Sequence, residues 1–410
     1  MELRHPVCCG IDVHKRVLVA CVRRAGENGR VTKDTREFTT TVSGLLALST
    51  WLAEEGCPVV AMESTGVYWR PVYHALSGGC SVIIGNAREI RHRPGRKTDK
   101  TDAAWIAELL AHDLIPQSFI PPPQIDALRG LTRSRVTQVQ MRTQEKNRVH
   151  KVLEDTNIKI GSVVSDLFGK SARRMLDALV AGERDPKALS RLAVGSLKKK
   201  VKELELALHG QFTDQHAFLI GLALAHIDFL NAQIEKLDEQ IAQLVEPMNA
   251  AVACLNTIPG VDVRAARMII AEIGTDMTRF GSDKRLASWS GMCPGNNESA
   301  GKKKSGRTPR GNNWLRRVLT QCAWGTRKTE THIGRSFRRL ERRIGGKRAA
   351  IAVGHKILVI AFHLLLNGTV YEERNAHPNP ESEAIFQKLL ISRLEQAGYK
   401  VTRLEPTEHS

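Results

Sequence analysis

The first 115 residues alternate apolar and amphipathic segments in an order that few folds share. Apolar or alternating runs predict strands, and three-to-four-residue spacing of apolar side chains predicts helices. The predicted strands are 8–13, 17–22, 31–40, 58–62 and 80–84, and the predicted helices are 41–55, 68–76 and 102–112. Three consecutive strands followed by helix–strand repeats predict a mixed sheet with helices packed on it. This opening meander distinguishes the segment from a doubly wound nucleotide-binding fold.

Acidic residues stand at the ends of these predicted elements. Asp12 ends the first strand in CGIDVHK, and Glu63 directly follows the strand at 58–62 in AMESTG. Asp99 and Asp102 lie three apart in KTDKTDA, so they share one helix face if the helix begins by Asp99. The order of strands is that of a ribonuclease H-like (RuvC-like) fold. We therefore expect the four acids to meet in one cleft of an α/β domain.

Clustered carboxylates at such a place suit phosphodiester chemistry. Two divalent ions about 3.5–4 Å apart stabilise the attacking and leaving oxygens of such a reaction, and Mg²⁺ prefers oxygen ligands. Each acid taken alone is equally compatible with a turn or a cap, as Asp102 is for the helix it precedes. The set predicts a two-Mg²⁺ site whose metal ligands and catalytic residues are Asp12, Glu63, Asp99 and Asp102.

The charge distribution indicates a polyanionic partner. The net charge is +18, and sixteen Lys/Arg residues against two acids lie between Ser299 and Arg348. A solvated face usually interleaves both signs, so this excess favours nucleic acid over an anionic membrane. The candidate contacts are Arg88, Arg91, Arg93, Arg96 and Lys97 beside Asp99, and Lys302, Lys303, Lys304, Arg307, Arg310, Arg316 and Arg317 in the C-terminal half. Paired arginines on a helical pattern, Arg338, Arg339, Arg342 and Arg343, are further candidates for phosphate contacts.

The middle of the chain carries a heptad pattern. Its apolar residues recur in steps of three and four and end before Pro247; they are Ile220, Ala223, Ile227, Leu230, Ile234, Leu237, Ile241 and Leu244. Such a narrow seam favours a coiled coil, intermolecular or antiparallel, over a helix buried against its own chain. We expect four regions: an α/β domain at 6–120, a helical coiled-coil region at 121–249, a mostly helical domain at 250–370 and a polar tail at 371–410.

Cysteines and apolar runs bear on location. None of the eight cysteines forms a CxxC pair, so a zinc site is not expected. The start lacks the apolar core of a signal peptide, and we expect no apolar run long enough to span a bilayer. These features predict a cytoplasmic protein, in a bacterial cytoplasm or nucleoid, with no membrane partner.

At these residues the chain resembles the DEDD-type insertion-sequence transposases. The matching motifs are GIDVHK, ESTGVYWRPV, KTDKTDA, IPGVDVRAA and PGNNESAGKKKSGRTPRGNNWLRR, in the order of the family, across roughly residues 8–325. The resemblance implies a RuvC-like nuclease domain and a C-terminal transposase domain with a nucleophilic serine, which falls on Ser299. It also implies double-stranded donor and target DNA, a structured bridge RNA as guide, and assembly into dimers or a tetramer.

Two positions depart from the family pattern, and other readings stay open. Asp262 stands where members tend to have a second glycine after the Pro-Gly turn of a helix-hairpin-helix-like segment, and Ala300 follows the implied nucleophile. From the residues alone, a serine in a Gly/Asn/Lys-rich loop is a solvated turn residue, and Ser288, Ser290 and Ser305 are rivals. The alternatives are a RuvC-like nuclease that uses water and a non-catalytic nucleic-acid-binding protein.

Overall fold

The computed structural model describes residues 2–26, 30–64, 66–86, 90, 102–293, 297–299, 302–305, 308–309, 311–373, 388, 391–392, 394–396 and 398–401, with the backbone alone at 297–299 and 302–305. The chain divides into two compact units, Met1–Ile120 and Pro121–Ser410. Asp99, Arg88, Arg91, Arg93, Arg96, Lys97, Arg307 and Arg310 were named as candidate site residues and lie outside the described residues.

The first unit is built on a five-stranded mixed sheet, as predicted. Its elements are β1 (Val7–Val13), β2 (Val17–Ala25), β3 (Val31–Thr39), α1 (Val42–Glu54), β4 (Val59–Glu63), α2 (Trp69–Leu76), β5 (Ser81–Gly85) and α3 (Asp102–Ala111). The strand order is β3-β2-β1-β4-β5. Strands β1, β2 and β3 pair antiparallel, whereas β4 and β5 run parallel to β1. Strand β1 therefore lies at the centre.

Both faces of β1 are buried, which is why it reads as a nearly continuous apolar run. Cys9, Ile11 and Val13 pack into one core with α1 and α2. The alternate residues face α3, whose Trp105 and Ile106 form a second core with the central strands. Because side chains alternate along a strand, Asp12 belongs to the face that α3 covers.

The second unit begins with two long helices. They are α4 (Pro123–Asp155) and α9 (Asp214–Val245). Four short helices lie between them in sequence: α5 (Ile160–Val163), α6 (Lys170–Val180), α7 (Pro186–Ser190) and α8 (Val201–Ala207). Helix α9 packs antiparallel on α4, with Arg135 bound to Asp238 at 2.9 Å and Arg142 bound to Asn231 at 2.7 Å. Most of the heptad seam, including Ile220 and Ile241, is buried on this side of α9. The apolar seam is thus covered within its own chain; a coiled coil between chains stays a prediction.

The part of the second unit that follows Pro247 contains α10 (Asn249–Asn256), α11 (Val263–Ile273), α12 (Asp283–Trp289), a hairpin of β6 (Asn297–Ser299) and β7 (Lys302–Ser305), α13 (Asn313–Thr326), α14 (His332–Ile344) and α15 (Gly346–Asn367). This part of the unit is mostly helical, as predicted. A separate domain at 250–370 stays a prediction, since the chain divides only at residue 120.

Two helical segments, Asp214–Asn256 and Gly346–Asn367, are long and apolar enough to cross a membrane by length and composition alone. The expectation that no apolar run would be long enough was wrong for these helices. Part of each segment packs inside the unit, as Ile227 does in the first and Val353 and Ile357 do in the second. The first segment also exposes Phe218, Leu222 and Phe229. Helices in the core of a protein can be equally long and apolar.

Candidate active site

Three of the four predicted acids lie at one end of the sheet. Asp12 is the second-last residue of β1, and Glu63 is the last residue of β4. The two strands pair in parallel, with Ile11 opposite Met62, so their carboxyl ends adjoin. Both side chains are half-buried. The sheet register therefore brings Asp12 and Glu63 to neighbouring positions, as the sequence analysis expected.

Helix α3 carries Asp102 to the same end. It starts at Asp102 and crosses β1 at Gly10, where an added Cβ would lie 2.2 Å from the Ala103 carbonyl oxygen and 2.3 Å from the Ala107 nitrogen. Farther along, the Cys8 thiol lies 3.4 Å from the Ala107 carbonyl oxygen. The helix therefore runs from the Asp12 end of β1 toward its start, with the exposed Asp102 beside the strand ends.

The electrostatics of Asp12 reflect this convergence. Burial raises the pKa of Asp12 above its ordinary value of 3.8, and the charges of Asp102 and Glu63 raise it further. His14 acts in the opposite direction, because its Nε2 lies 3.2 Å from Asp12 Oδ2. When a partly desolvated carboxylate is surrounded by like charge, binding a cation lowers the electrostatic free energy of its charged form.

The donors at this site suit a hard divalent cation. The three acids offer oxygen ligands, which Mg²⁺ prefers. Cys8 stands on the same face of β1 but four residues before Asp12, and burial raises the pKa of its thiol to about 12, so it stays protonated and is not a candidate ligand. Within the described part of the chain, no three His, Cys, Asp or Glu side chains are grouped closely enough to hold an ion. The acids are thus near enough to repel one another, but they do not form a closed ligand shell by themselves.

Ser299 is the last residue of β6, in the antiparallel hairpin with β7. Its pairing partner is Lys302, so only Ala300 and Gly301 separate the two strands in sequence. Ser299 therefore ends the first arm of the hairpin, and the strand that carries Lys302, Lys303 and Lys304 returns beside it. Among the rival serines, Ser290 is fully buried and its hydroxyl donates to the Ala287 carbonyl at 2.9 Å. That burial disfavours Ser290 as a nucleophile.

Two predicted basic contacts flank this hairpin on α13. Arg316 is half-buried, and its Nη2 donates to the carbonyl oxygens of Gly291 and Pro309 at 2.6 and 2.7 Å. Arg317 is exposed, with its guanidinium 5.8 Å from the centre of the Trp314 ring. Both remain predicted nucleic-acid contacts, and Arg316 has in addition a structural role that the charge pattern did not indicate.

The Pro-Gly turn between α10 and α11 is packed against α13. Gly260 has φ +85°, and an added Cβ would lie 2.5 Å from the Cys322 carbonyl oxygen. Asp262 caps α11, because its Oδ1 accepts from the Ala265 N–H at 2.7 Å. In a helix-hairpin-helix such N–H groups face phosphate. The departure from the family pattern at Asp262 therefore has a structural consequence. The Asp262 carboxylate accepts from the Ala265 amide, one of the N–H groups at the start of α11 that could otherwise face a phosphate.

Sequence reasoning missed three residues around these sites. His14 was not singled out, although two-residue alternation places it on the same strand face as Asp12. Glu272 and Asn312, described below, were also missed. A single acid inside the apolar segment RMIIAEIG was the only indication that Glu272 is buried and paired.

Comparison with known proteins agrees with the motifs. Residues 9–158 match the IS110-type DEDD transposase family, and residues 252–337 match the transposase family IS116/IS110/IS902. A Sinorhizobium fredii protein, y4qE, that carries a transposase name is 27% identical over 340 residues, which cover 81% of this chain and 75% of that protein.

A second relative is the 43.6 kDa protein of insertion element IS110 from Streptomyces coelicolor. It is 24% identical over 350 residues, which cover 77% of this chain and 83% of that protein. The two family matches fall in the two halves of the chain that carry the acids and the serine hairpin. The chain belongs to the IS110 family of insertion-sequence transposases.

Proposed function

We propose that this transposase cuts and rejoins DNA by metal-assisted attack of Ser299 on a phosphodiester, guided by a structured bridge RNA. The observation that carries the proposal is the convergence of Asp12, Glu63 and Asp102 at one sheet end, where each acid adds to the electrostatic strain on Asp12. The strand order β3-β2-β1-β4-β5 supports a ribonuclease H-like assignment for this unit.

The acids act as the cation site. Asp12, Glu63 and Asp102, with Asp99 as the fourth predicted ligand, would hold Mg²⁺, which when bound neutralises charge on the phosphate and its leaving oxygen. Asp12 is kept partly out of water by the sheet and α3, which strengthens its interaction with a cation. His14 holds the Asp12 carboxylate in place through its 3.2 Å contact.

Ser299 is proposed to supply the nucleophile. Its Oγ forms a bond to phosphorus as one P–O bond of the DNA breaks, and the serine proton ends on the departing DNA oxygen. Attack by the hydroxyl of another strand then reverses the exchange and frees the serine. Since one phosphoester replaces another at each step, the reaction needs no external energy source. The lysines of β7 lie beside Ser299 in sequence and favour an anionic substrate.

The remaining parts of the proposal rest on family resemblance. They are the bridge RNA, double-stranded donor and target DNA, and assembly into dimers or a tetramer; a cytoplasmic location is proposed from the cysteine pattern and the apolar runs instead. The basic excess between Ser299 and Arg348 supports nucleic-acid partners in general.

Ser299→Ala is expected to abolish covalent protein–DNA product while leaving DNA binding within about twofold, because a serine-to-alanine change removes no charge. The matched control is Ser305→Ala, since Ser305 stands on the other arm of the same hairpin, opposite Asn297. The assay uses supercoiled DNA, Mg²⁺ and protein co-expressed with transcripts from the flanks of its gene, and it is quenched in denaturant.

The outcomes separate three functions. Adduct in the wild type and in Ser305→Ala, but not in Ser299→Ala, supports the serine mechanism. If Ser299→Ala still cleaves DNA without forming adduct, the protein is a nuclease that uses water. If the wild type binds DNA but cleaves none with RNA supplied, the chain is a binding protein.

Helix α14 presents an arginine face that supports contact with DNA. Ile333 and Phe337 are buried on one side of the helix. On the other, Arg338 is engaged by the carbonyls of Arg327 and Thr329. Among the exposed arginines of α14, Arg339, Arg342 and Arg343 lie at three- and four-residue spacing. They line an open cavity of about 710 Å³ with Leu340.

Neutralising these three arginines is expected to weaken DNA binding and its salt dependence. Each phosphate contact contributes about −0.9 to the slope of log K against log salt, so the triple Arg→Gln variant should lose up to about 2.7 of slope. The matched control is Lys→Gln at Lys198, Lys199 and Lys200, which are exposed and remove the same charge. An equal loss of slope in both triples would mean that only net charge matters.

A further inference from the structure

The loop that carries the serine hairpin is closed at its base. Its two ends, at Gly291 and Gly311, touch so closely that a Cβ on Gly311 would lie 2.3 Å from the Ser290 carbonyl oxygen. A Cβ on Gly291 would lie 2.8 Å from the Pro309 carbonyl oxygen, and Gly291 has φ +68°. Such close approach of two backbones requires glycine. The hairpin therefore extends from a narrow, fixed base.

Arg316 fastens the two ends together. One guanidinium nitrogen, Nη2, donates to carbonyl oxygens on both sides of the base, Gly291 at 2.6 Å and Pro309 at 2.7 Å. Charge-assisted hydrogen bonds of this length are stronger than neutral ones. The side chain comes from the first turn of α13, so the base is fixed to that helix.

Asn312 connects the base to a buried acid. Its Oδ1 accepts from the Trp314 and Leu315 amides at 3.0 and 3.1 Å, which caps α13. Its Nδ2 donates at 2.6 Å to Oε2 of Glu272 on α11. One side chain thus caps the helix after the loop and joins it to another helix.

Glu272 in turn is held by the long helix α4. It is only 3% exposed, and Arg133 binds both of its carboxylate oxygens at 2.8 Å. Arg129 donates to the backbone carbonyls of Ala271 and Glu272 at 3.1 and 2.7 Å. The Arg133 guanidinium also lies 5.6 Å from the Trp314 ring centre. The base of the serine loop is therefore tied to α4 through a buried ionic network.

We propose that Glu272 and Asn312 are positioning residues for the reaction at Ser299, which set the placement of the serine hairpin through its base. This inference rests on the proposed function of Ser299. A buried ion pair is a costly way to gain stability alone, since apolar residues of similar volume often serve as well. Fixed directional bonds do supply a defined geometry, and misplacement of a reacting group by about 1 Å can cost about 100-fold in rate.

Asn312→Asp tests the inference, because it separates capping from positioning. Aspartate caps a helix as well as asparagine does, and its charge at a helix N-terminus is favourable. It cannot donate to Glu272, however, and it sets two carboxylates against each other. If Asn312 has only a structural role, this change will lower the melting temperature or the adduct amplitude but not the rate constant.

The measurement is the single-turnover rate constant for adduct formation, with its amplitude and the DNA dissociation constant. We expect Asn312→Asp to lower the rate constant by about tenfold or more, with the dissociation constant within about twofold. Asn313→Asp, at the exposed neighbour, is the matched control.

The outcomes are distinguishable from failure of the proposed function. If the wild type forms no adduct at Ser299, the proposed mechanism fails. If adduct forms and Asn312→Asp lowers its amplitude or the melting temperature while the rate constant stays at the wild-type value, the role is structural and the inference is overturned. Should Asn312→Asp not fold, Asn312→Ser is measured instead, because serine keeps a capping oxygen but is too short to reach Glu272. A lower rate constant for Asn312→Ser supports the inference, and an unchanged rate constant overturns it.

Discussion

Asp12→Asn is expected to abolish DNA cleavage and, in the absence of divalent ions, to make the protein more stable near neutral pH. Loss of a cation ligand removes several kcal/mol of stabilisation of the reacting phosphate, which corresponds to a loss of about 10³-fold or more in rate. Functional sites are often strained, so a loss of activity together with a gain in stability is the result we expect for a ligand of a strained cation site.

The stability effect follows from the raised pKa of Asp12. Burial, with the charges of Asp102 and Glu63, favours the protonated form in the folded state. The folded protein then binds more protons than the unfolded chain between the two pKa values, so the contribution of Asp12 to stability falls as the pH rises through this window. Above this pH window, the folded protein bears the full free-energy cost of the partly buried, charged carboxylate, and asparagine removes that cost. Below the ordinary value of 3.8, the wild type and the variant should converge.

Thermal melts with and without Mg²⁺ test this expectation. Mg²⁺ should raise the melting temperature of the wild type, because an ion bound only to the folded state stabilises it, and should have little effect on Asp12→Asn. The control is Asp34→Asn, since the Asp34 side chain on β3 is about half exposed and is paired with Arg36 at 3.1 Å. An equal response of Asp12→Asn and the wild type to Mg²⁺ would contradict a metal-binding role.

Gly10→Ala is expected to unfold or strongly destabilise the first unit. The added methyl would lie 2.2 and 2.3 Å from backbone atoms of Ala103 and Ala107, and a helix backbone cannot yield as a flexible side chain can. Overpacking of a core usually costs about 1–3 kcal/mol and at times more; here we expect about 3 kcal/mol or more, since α3 must move as a whole. Any folded fraction should also lose activity, because α3 carries Asp102.

Urea unfolding of the two glycine variants measures the effect. Gly78→Ala is the control, since an added Cβ there meets nothing within 4 Å. The midpoint should fall for Gly10→Ala and stay near the wild-type value for Gly78→Ala. An unchanged midpoint for Gly10→Ala, with cleavage intact, would mean that α3 does not rest on β1 as described.

The strands and helices of the first unit, and the positions of three acids on them, could be predicted from the sequence. Alternation with period two is a local property of a strand, so β1 and β4, with Asp12 and Glu63 at their ends, were predictable. Helix α3 was predictable from its apolar spacing, and with it the position of Asp102 in the first turn. Asp99, in the segment before α3, stays a prediction. The motif around Ser299 indicated a nucleophile only through family resemblance, because a serine in a polar loop has no distinctive chemistry of its own.

The contacts between distant surfaces could not be predicted from the sequence. An apolar heptad seam shows that one face of α9 is buried but not which helix covers it, and the partner is α4 of the same chain. Arg316 and Arg339 both lie in a basic stretch of sequence, but Arg316 donates to a carbonyl oxygen at the base of the serine loop, whereas Arg339 is exposed. Glu272 became a central residue because Arg133 and Asn312, 139 and 40 positions away, converge on it. The cost of burying a charge depends on such partners, and packing between distant segments determines which partners a residue has.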